Sequence, residues 1–286
     1  MTGITSQLRE LLSQQDNWVI LTGAGVSADS GIPTYRDAAG RWLGANPIQH
    51  QDFLADQSAR QRYWGRSMIG WPAVRDASPN TTHTALAEFE RSGRVSLLIT
   101  QNVDRLHQKA GCQRVVDLHG RLDRVVCVDC GAGFEREDVQ RSLQRLNPHH
   151  SVEQIASRPD GDADLTPEQV ANISVLPCDA CGGMLKPDVV FFGGSIPRDR
   201  VRYCEQSLAC ADGLLVVGSS LQVYSGFRFC RQAAELGIPL VIVNEGLTRA
   251  DAMADLKIST HGLATLRSAL TDTARVHPDI QGTQHG

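Results

Sequence analysis

Residues 21–37 read LTGAGVSADSGIPTYRD and carry the strongest structural signal in the chain. The apolar run Trp18–Thr22 leads directly into Gly23, Ala24 and Gly25, which is the order of a strand followed by a dinucleotide-binding turn. Glycines at such a turn let the backbone approach a phosphate, and the amide groups that follow can donate hydrogen bonds to it. The third glycine of the usual pattern is missing, so the triplet alone fits a tight strand-to-helix turn equally well.

Short apolar runs rich in β-branched residues alternate with helix-like stretches along the chain. The strand-like runs are residues 18–22, 95–100, 115–118, 214–217 and 240–243. The helix-like stretches are residues 82–91, 199–211 and 227–236. Alternation of this kind predicts a parallel sheet with helices on both faces. The predicted fold class is therefore α/β, with a Rossmann-like parallel sheet.

Four of the eight cysteines form two Cys-x-x-Cys pairs, and a glycine follows the second cysteine of each pair. The pairs are Cys127 with Cys130 and Cys178 with Cys181. Together they supply four thiolates, the tetrahedral ligand set that zinc prefers, and they leave no position open for a substrate. We therefore predict one structural Zn²⁺ ion, with two unrelated turns as the alternative. A redox pair is disfavoured because neither motif opens a helix after a strand.

Two regions interrupt the alternation of strands and helices. Residues 51–71 are helical in pattern and rich in aromatic side chains, whereas residues 121–186 are polar and irregular and hold both cysteine pairs. These interruptions divide the chain into three predicted parts. They are a Rossmann-like domain (residues 1–50, 78–120 and 186–286), a helical insertion (51–77) and a smaller zinc-binding domain (121–185).

The bulk composition argues against several classes of function. The chain has 286 residues, of which 41% are hydrophobic, and its formal net charge is −4. That charge gives no electrostatic footprint for nucleic acid, and no apolar run approaches the roughly 20 residues that a membrane span needs. Residues 1–15 lack the apolar core of a signal peptide. We therefore expect no nucleic-acid partner, no membrane association and a cytoplasmic location.

Polar side chains follow the strand-like run 95–100 at Asn102 and Asp104, and His119 closes the next run. Because the carboxyl ends of parallel strands meet at one edge of the sheet, these side chains are expected to line a ligand crevice. A histidine at that edge suits general base chemistry near neutral pH, with a purely structural histidine as the alternative. His107 lies at a predicted helix start and is expected to pack or cap.

Two further strand ends carry small hydrogen-bonding residues. They are Gly218, Ser219 and Ser220 after one run, and Asn244, Glu245 and Gly246 after another. An oxidoreductase usually has an acidic residue about 20 positions beyond its glycines, at the end of the next strand. Here the polar run 30–37 follows with no second strand between, so a hydride-transferring dehydrogenase is disfavoured. The pattern indicates a nucleotide that is consumed.

Taken in chain order, these motifs resemble the sirtuins, a family of NAD-dependent protein deacylases. The matching pieces are GAGVS (23–27), SGIP (30–33), YRD (35–37), TQNVD (100–104), LHG (118–120), the four cysteines, KPDVVFFG (186–193), GSSL (218–221) and Asn244. Segments 63–71, 221–226 and 248–251 look most like the class II branch. The family usually has Phe where this chain has Tyr35, and an acidic residue where this chain has Gly194.

The resemblance implies an enzyme that transfers the acyl group of a protein lysine to ADP-ribose and releases nicotinamide from NAD. It implies His119 as the base, with Asn102 and Asp104 as further catalytic residues lining the nicotinamide pocket. The implied NAD contacts come from the glycine turn, the loop after it and the strand ends. They are Gly23, Ala24, Gly25, Ser27, Ile32, Pro33, Tyr35, Arg36, Gln101, Asn102, Val103, Asp104, His119, Gly218, Ser219, Ser220, Asn244, Glu245, Gly246 and Asp255.

The implied partners are proteins that carry acylated lysines, and residues 189–194 resemble the strand that pairs with the substrate peptide. The acyl chain stays open: Tyr63 and Arg66 have the Tyr-x-x-Arg spacing of sirtuins that favour acidic acyl groups, with Arg66 on a solvated helix face as the alternative. Two other functions also stay open at this point. They are mono-ADP-ribosyl transfer to protein and a non-enzymatic zinc-ribbon binding module.

Overall fold

A parallel sheet and a smaller antiparallel sheet organise the protein. The computed structural model describes residues 3–35, 37, 41, 43, 47–150, 172–259 and 262–274. Within them the strands are β1 (Trp18–Thr22), β2 (Val95–Thr100), β3 (Val115–Asp117), β4 (Gly120–Cys127), β5 (Gly133–Glu135), β6 (Leu185–Val189), β7 (Gly213–Val217), β8 (Leu240–Val243) and β9 (Leu256–Ile258). Six of these strands pair in parallel in the order β3-β2-β1-β7-β8-β9. The other three are antiparallel in the order β5-β4-β6.

Helices connect most of these strands. In the described part of the chain the α-helices are Gly3–Gln14, His50–Ala55, Gln57–Asp76, Thr81–Phe89, Leu106–Lys109, Arg136–Leu146, Arg198–Ala209, Tyr224–Leu236 and Gly262–Ala274. Ala24–Ser30 and Asp251–Met253 are 3₁₀ helices, and Glu90–Arg94 is a π turn. None of the helices described combines the length and apolar character needed to cross a lipid bilayer.

The residues of β1 alternate between two apolar cores, one on each face of the parallel sheet. Trp18 and Ile20 belong to one core, and Val19 and Leu21 belong to the other. The first core also contains side chains from Gly3–Gln14, Thr81–Phe89 and Gly262–Ala274, and the second contains side chains from Arg198–Ala209 and Tyr224–Leu236. Every residue of β1, β7 and β8 is buried, as expected for parallel strands covered on both faces.

The antiparallel sheet has its own apolar core. Phe53 and Trp64 from the helical region, Val125 from β4, Leu143 and Leu185 pack together there. The chain passes from the parallel sheet to this smaller one between β3 and β4. The predicted fold class, α/β with a Rossmann-like parallel sheet and a smaller second lobe, is confirmed. The domain boundaries drawn above remain predictions.

The strands of the parallel sheet match the sequence prediction, except that β7 begins one residue earlier, at Gly213, and that the two edge strands differ. The predicted run 115–118 ends one residue earlier, at Asp117, and β9 was not predicted. That strand has three residues with Lys257 in the middle, too short and too polar to stand out as a buried run. The helical region 51–71 is two helices, separated at Asp56, whose side chain accepts a hydrogen bond from the Ser58 amide at 2.8 Å and caps the second helix.

Candidate active site

The glycine turn after β1 packs directly against the turn after β7. The Gly25 amide donates to the Gly218 carbonyl oxygen at 2.8 Å. A Cβ on Gly25 would lie 2.9 Å from that oxygen, and Gly218 itself has a φ of 61°. Side chains at either position would therefore push the two turns apart. The turn leads into the 3₁₀ helix Ala24–Ser30 rather than an α-helix.

A buried polar group lies beneath this turn. Ser27 Oγ donates to Asp104 Oδ2 at 2.6 Å, and Asn102 Nδ2 donates to Ser27 Oγ at 3.0 Å and to the Gly23 carbonyl at 3.1 Å. Asp104 Oδ1 accepts from the Leu106 amide at 2.9 Å. Burial raises the pKa of the Asp104 carboxyl, although the hydrogen bond from Ser27 acts in the opposite direction. The group fixes the Asn102 side chain at the edge of the sheet.

His119 lies where the chain crosses from the parallel sheet to the antiparallel one. Its backbone carbonyl accepts from the Val190 amide at 2.7 Å. The next residue, Gly120, has a φ of 85°, and a Cβ there would lie 2.0 Å from the Asp188 carbonyl oxygen. Only glycine allows the two strands to approach this closely. The crossing therefore holds the His119 backbone firmly between the sheets.

The His119 imidazole contacts Gln101 and Ser225. Nδ1 is 3.0 Å from the Gln101 carbonyl oxygen, and Nε2 is 2.8 Å from the Ser225 hydroxyl. Burial lowers the pKa of His119 below its ordinary value, although the hydrogen bond with Gln101 acts in the opposite direction. Arg200, which donates to the Leu118 carbonyl at 3.3 Å, lowers this pKa further through its charge. The imidazole is therefore held neutral and ready to accept a proton.

A single cleft of about 1170 Å³ brings most of the expected site residues together. It runs along the carboxyl edge of the parallel sheet and is bordered by residues 189–194. The expected nucleotide-contact residues that line it are Ala24, Gly25, Tyr35, Gln101, Asn102, Val103, His119, Gly218, Ser219, Ser220, Asn244 and Glu245. Its volume is large enough for a dinucleotide or a peptide segment.

Other expected contacts lie beside or beneath the cleft. Gly23, Ser27 and Asp104 belong to the polar group under Asn102. Ile32 is 4% exposed and packs in an apolar cluster with Trp71 and Val103, while Pro33 is exposed. The Gly246 carbonyl accepts a hydrogen bond from Lys257 Nζ at 2.8 Å. Arg36 lies outside the described residues.

The assignment of Asp255 to the nucleotide contacts needs correction. Asp255 Oδ2 accepts a hydrogen bond from the Leu240 amide at 2.8 Å, and the Asp255 amide donates to the Leu240 carbonyl at 2.9 Å. Leu240 is the first residue of β8. Asp255 therefore lies at the amino end of this strand, opposite the edge where Asn244 lines the cleft, and it serves to align β8 with β9.

The four predicted zinc ligands come together in the smaller lobe. Their sulfur atoms all lie within 4.8 Å of one another, with Cys127 Sγ 3.5 Å from Cys181 Sγ and Cys130 Sγ 3.8 Å from Cys178 Sγ. Tetrahedral zinc–thiolate bonds of about 2.3 Å place the sulfurs about 3.8 Å apart, so the group fits zinc. Gly131 and Gly182, each following a second cysteine, have φ values of 74° and 75°.

The remaining expectations concern a histidine and the acyl pocket. His107 is buried and its Nε2 is 2.9 Å from Thr22 Oγ1, so it packs below the sheet edge as predicted. Arg66 is 7% exposed, which rules out the solvated helix face considered above. Tyr63 lines the cleft.

The segment 189–192, expected to pair with the substrate peptide, is only partly a strand. The strand β6 ends at Val189, and Phe192 makes an isolated bridge with Gln49.

Two contacts at the site escaped sequence reasoning. The Ser225 hydroxyl reaches His119 from the start of the helix Tyr224–Leu236. Arg105 forms an ion pair with Asp117, two residues before His119. The first contact joins segments 106 residues apart, and the second crosses from the loop after β2 to the end of β3, so no local pattern signals either one.

A Rossmann-like sheet joined to a four-thiolate lobe defines a class of protein, the nucleotide-binding α/β proteins with a structural metal site. The sequence pattern of the Sir2 family matches residues 23–225. The chain belongs to the Sir2 family, and the resemblance to the sirtuins is thereby confirmed.

Bacterial relatives are similar to this chain over nearly its whole length. An "NAD-dependent protein deacetylase" of Xanthomonas campestris pv. campestris (strain 8004) is 50% identical over 277 residues, which are 94% of each chain. An "NAD-dependent protein deacetylase 2" of Bradyrhizobium diazoefficiens is 48% identical over 91% of this chain and 95% of the relative. A solved structure described as "Sir2-p53 peptide-NAD+" has a TM-score of 0.75 and 30% identity, covering 95% of this chain and 98% of its own.

Proposed function

We propose that this chain is an NAD-dependent protein lysine deacylase. It transfers the acyl group, acetyl in the first instance, from a protein lysine to ADP-ribose and releases nicotinamide. The observation that carries this proposal is the position of His119, which shares one cleft with the glycine turn and Asn102. The bacterial relatives named as NAD-dependent protein deacetylases support it.

Different residues of the cleft bind different parts of NAD. The turns at Gly25 and Gly218 hold the phosphate side of NAD, and Ser219 and Asn244 face its sugar and base portions. Asn102 Nδ2 donates to Ser27 Oγ at 3.0 Å and to the Gly23 carbonyl at 3.1 Å, and Ser27 in turn donates to Asp104 at 2.6 Å. These bonds position Asn102 at the nicotinamide end of the cleft. NAD supplies the electrophilic ribose carbon to which the acyl oxygen bonds.

His119 acts as the general base. Its imidazole is kept neutral by burial, so it can accept a proton from a ribose hydroxyl without first losing one. The substrate peptide lies along residues 189–194, which border the same cleft and present backbone groups to an extended chain.

The zinc ion is structural. Its four ligands are all thiolates of this chain, which leaves no position for substrate. The ion joins the turn after β4 to the segment before β6 and so supports the lobe that carries one wall of the cleft. We place the protein in the reducing cytoplasm, because four of its cysteines form the metal site and the other four, including the exposed Cys210, form no disulfide.

A peptide assay tests the proposal. The purified chain is incubated with NAD and a panel of acyl-lysine peptides, and nicotinamide, deacylated peptide and acyl-ADP-ribose are followed by mass spectrometry. The His119→Ala variant is expected to lose at least about a hundredfold in turnover, whereas His149→Ala, at an exposed position, keeps wild-type turnover. Equal rates for His119→Ala and wild type would remove His119 as the base. ADP-ribose attached to protein, without acyl-ADP-ribose, would replace deacylation with mono-ADP-ribosyl transfer.

A further inference from the structure

Both ring nitrogens of His119 have hydrogen-bond partners within the chain. A carbonyl oxygen can only accept a hydrogen bond, so the contact between Nδ1 and the Gln101 carbonyl, 3.0 Å long, places the proton on Nδ1. In the neutral ring Nε2 then keeps its lone pair. The Ser225 hydroxyl, 2.8 Å away, donates to that lone pair. The atom that accepts a proton in base catalysis is therefore covered by Ser225.

The position of Ser225 is built into the turn that precedes it. Leu221 is 1% exposed and has a φ of 57°, a left-handed conformation that costs about 1–2 kcal/mol for a residue with a side chain. The Leu221 amide donates to Ser219 Oγ at 3.2 Å. The turn leads into the helix Tyr224–Leu236, with Ser225 as its second residue.

Gln101 links this turn to His119. Its side-chain oxygen accepts from Ser219 Oγ at 2.5 Å, and its backbone carbonyl accepts from His119 Nδ1. Gly226 packs against the same side chain, since a Cβ there would lie 2.3 Å from Gln101 Nε2. Gln101 therefore holds the His119 ring through its backbone and the segment that carries Ser225 through its side chain. These two contacts together set the position of His119 relative to Ser225.

Ser225 also faces the cleft. It is half-buried and lines the cleft together with His119 and Ser219. A ribose hydroxyl that approaches Nε2 therefore meets Ser225 Oγ on the way. Direct proton transfer to His119 would require the serine to break its hydrogen bond and rotate, whereas transfer through the serine uses the hydrogen bond already present.

We propose that Ser225 relays the proton that His119 accepts during acyl transfer, an inference that rests on the proposed function. The ribose O–H bond breaks and its proton passes to Ser225 Oγ, while the electron pair stays on the ribose oxygen that attacks the acyl carbon. At the same time Ser225 gives its own hydroxyl proton to His119 Nε2. The serine ends as a hydroxyl, and the imidazole carries one positive charge with its Nδ1 proton still held by Gln101.

The test compares Ser225→Ala with Ser207→Ala. Ser207 lies on the helix Arg198–Ala209, where its hydroxyl donates to the Tyr203 carbonyl at 2.9 Å, so it is a matched removal of a serine hydroxyl away from the cleft. Two rates are measured for each variant: steady-state formation of acyl-ADP-ribose, and exchange of labelled nicotinamide into NAD in the presence of acyl-peptide. The exchange reports the earlier release of nicotinamide, which needs no base.

The relay predicts a split between the two rates. In Ser225→Ala the kcat for acyl-ADP-ribose is expected to fall about tenfold or more, while nicotinamide exchange and KM stay at the wild-type values. Ser207→Ala is expected to keep both rates. The wild-type rate is also measured in mixtures of H₂O and D₂O, with the acyl-transfer step made rate-limiting. A plot of this rate against the D₂O fraction should bow downward, as expected when two protons move in one step.

Three outcomes would overturn the relay. They are an unchanged kcat in Ser225→Ala, an equal loss of exchange and turnover, and a linear dependence of the wild-type rate on D₂O fraction. A wild-type protein that neither exchanges nicotinamide nor forms acyl-ADP-ribose would overturn the proposed function itself, and the relay with it.

Discussion

Arg105 and Asp117 form a part-buried ion pair that ties the loop after β2 to the last residue of β3. Gln108 donates to the other oxygen of the same carboxylate at 3.0 Å. Arg105 has a φ of 67°, a conformation that a residue with a side chain adopts at a cost of about 1–2 kcal/mol. The pair holds this strained turn, directly after Asp104, against Asp117, which lies two residues before His119.

Two substitutions at Arg105 separate the ion pair from the strain. Arg105→Gly and Arg105→Ala both remove the ion pair, but only glycine relieves the left-handed conformation. We expect the glycine variant to be more stable than the alanine variant by about 1 kcal/mol in urea denaturation. Both variants are expected to turn over more slowly than wild type, because the loop after β2 is then no longer tied to Asp117, two residues before His119. Equal stability of the two variants would show that the turn relaxes once the side chain is gone.

The packing of Gly25 on Gly218 gives a second prediction. An alanine Cβ at position 25 would lie 2.9 Å from the Gly218 carbonyl oxygen and 3.0 Å from its Cα, both backbone atoms. Gly25→Ala is therefore expected to lower the free energy of unfolding by about 1–3 kcal/mol and to weaken NAD binding measured by calorimetry. Gly3→Ala is the control, since no atom lies within 4 Å of a Cβ there. Unchanged NAD affinity in Gly25→Ala would remove this turn from the nucleotide site.

The parts of the site that follow a buried strand directly could be predicted from sequence. Asn102, Ser219 and Asn244 each come within two residues of the end of β2, β7 or β8, so the parallel order of the sheet alone places them at one edge. The cysteine ligands were predictable for a different reason, because their spacing is fixed by the metal rather than by the fold.

The contacts that could not be predicted depend on registers between distant segments. Asp255 comes at the start of β9, a strand too short to recognise, so its position at the amino end of β8 followed from no local pattern. Ser225 reaches His119 only because Leu221 turns the chain in a left-handed conformation. Surrounding packing stabilises such a conformation at a leucine, so the residue type alone does not predict it.

Loss of the zinc ion is expected to destabilise the smaller lobe. Metal analysis by mass spectrometry should find one zinc ion per chain in the purified wild-type protein. The zinc content of Cys181→Ser should be lower. Because the ion crosslinks two segments of the lobe, its loss is expected to lower the free energy of unfolding by about 3 kcal/mol or more. Cys210→Ser is the control, since Cys210 is exposed and lies outside the four-sulfur group. Full stability in zinc-free Cys181→Ser would contradict a structural role for the metal.

A buried pair of histidines should make the protein sensitive to acid. The rings of His83 and His107 lie 4.9 Å apart, and both side chains are buried. His83 Nδ1 accepts from the Asn80 amide at 3.3 Å, and Asn80 in turn donates to the Val26 carbonyl of the 3₁₀ helix at 2.7 Å. Burial lowers the pKa of His83 to about 4 and lowers the pKa of His107 well below its ordinary value.

These lowered pKa values set the direction of the pH dependence. The unfolded chain takes up both protons near the ordinary histidine pKa of about 6.5, whereas the folded chain resists protonation until much lower pH. Below pH 6.5 the unfolded state therefore binds more protons, and the free energy of unfolding falls as pH falls toward 4. Each histidine contributes a slope of about 1.4 kcal/mol per pH unit in this range.

The slope can be measured by urea denaturation between pH 7 and pH 4.5, about the range over which His83 differs in protonation between the two states. His83→Gln is expected to reduce the slope by about 1.4 kcal/mol per pH unit, whatever its effect on stability at pH 7. His149→Gln, at an exposed position, is expected to leave the slope unchanged. A slope in His83→Gln equal to that of wild type would mean that the folded protein already binds a proton at His83 near neutral pH, and the neutral buried pair would have to be abandoned.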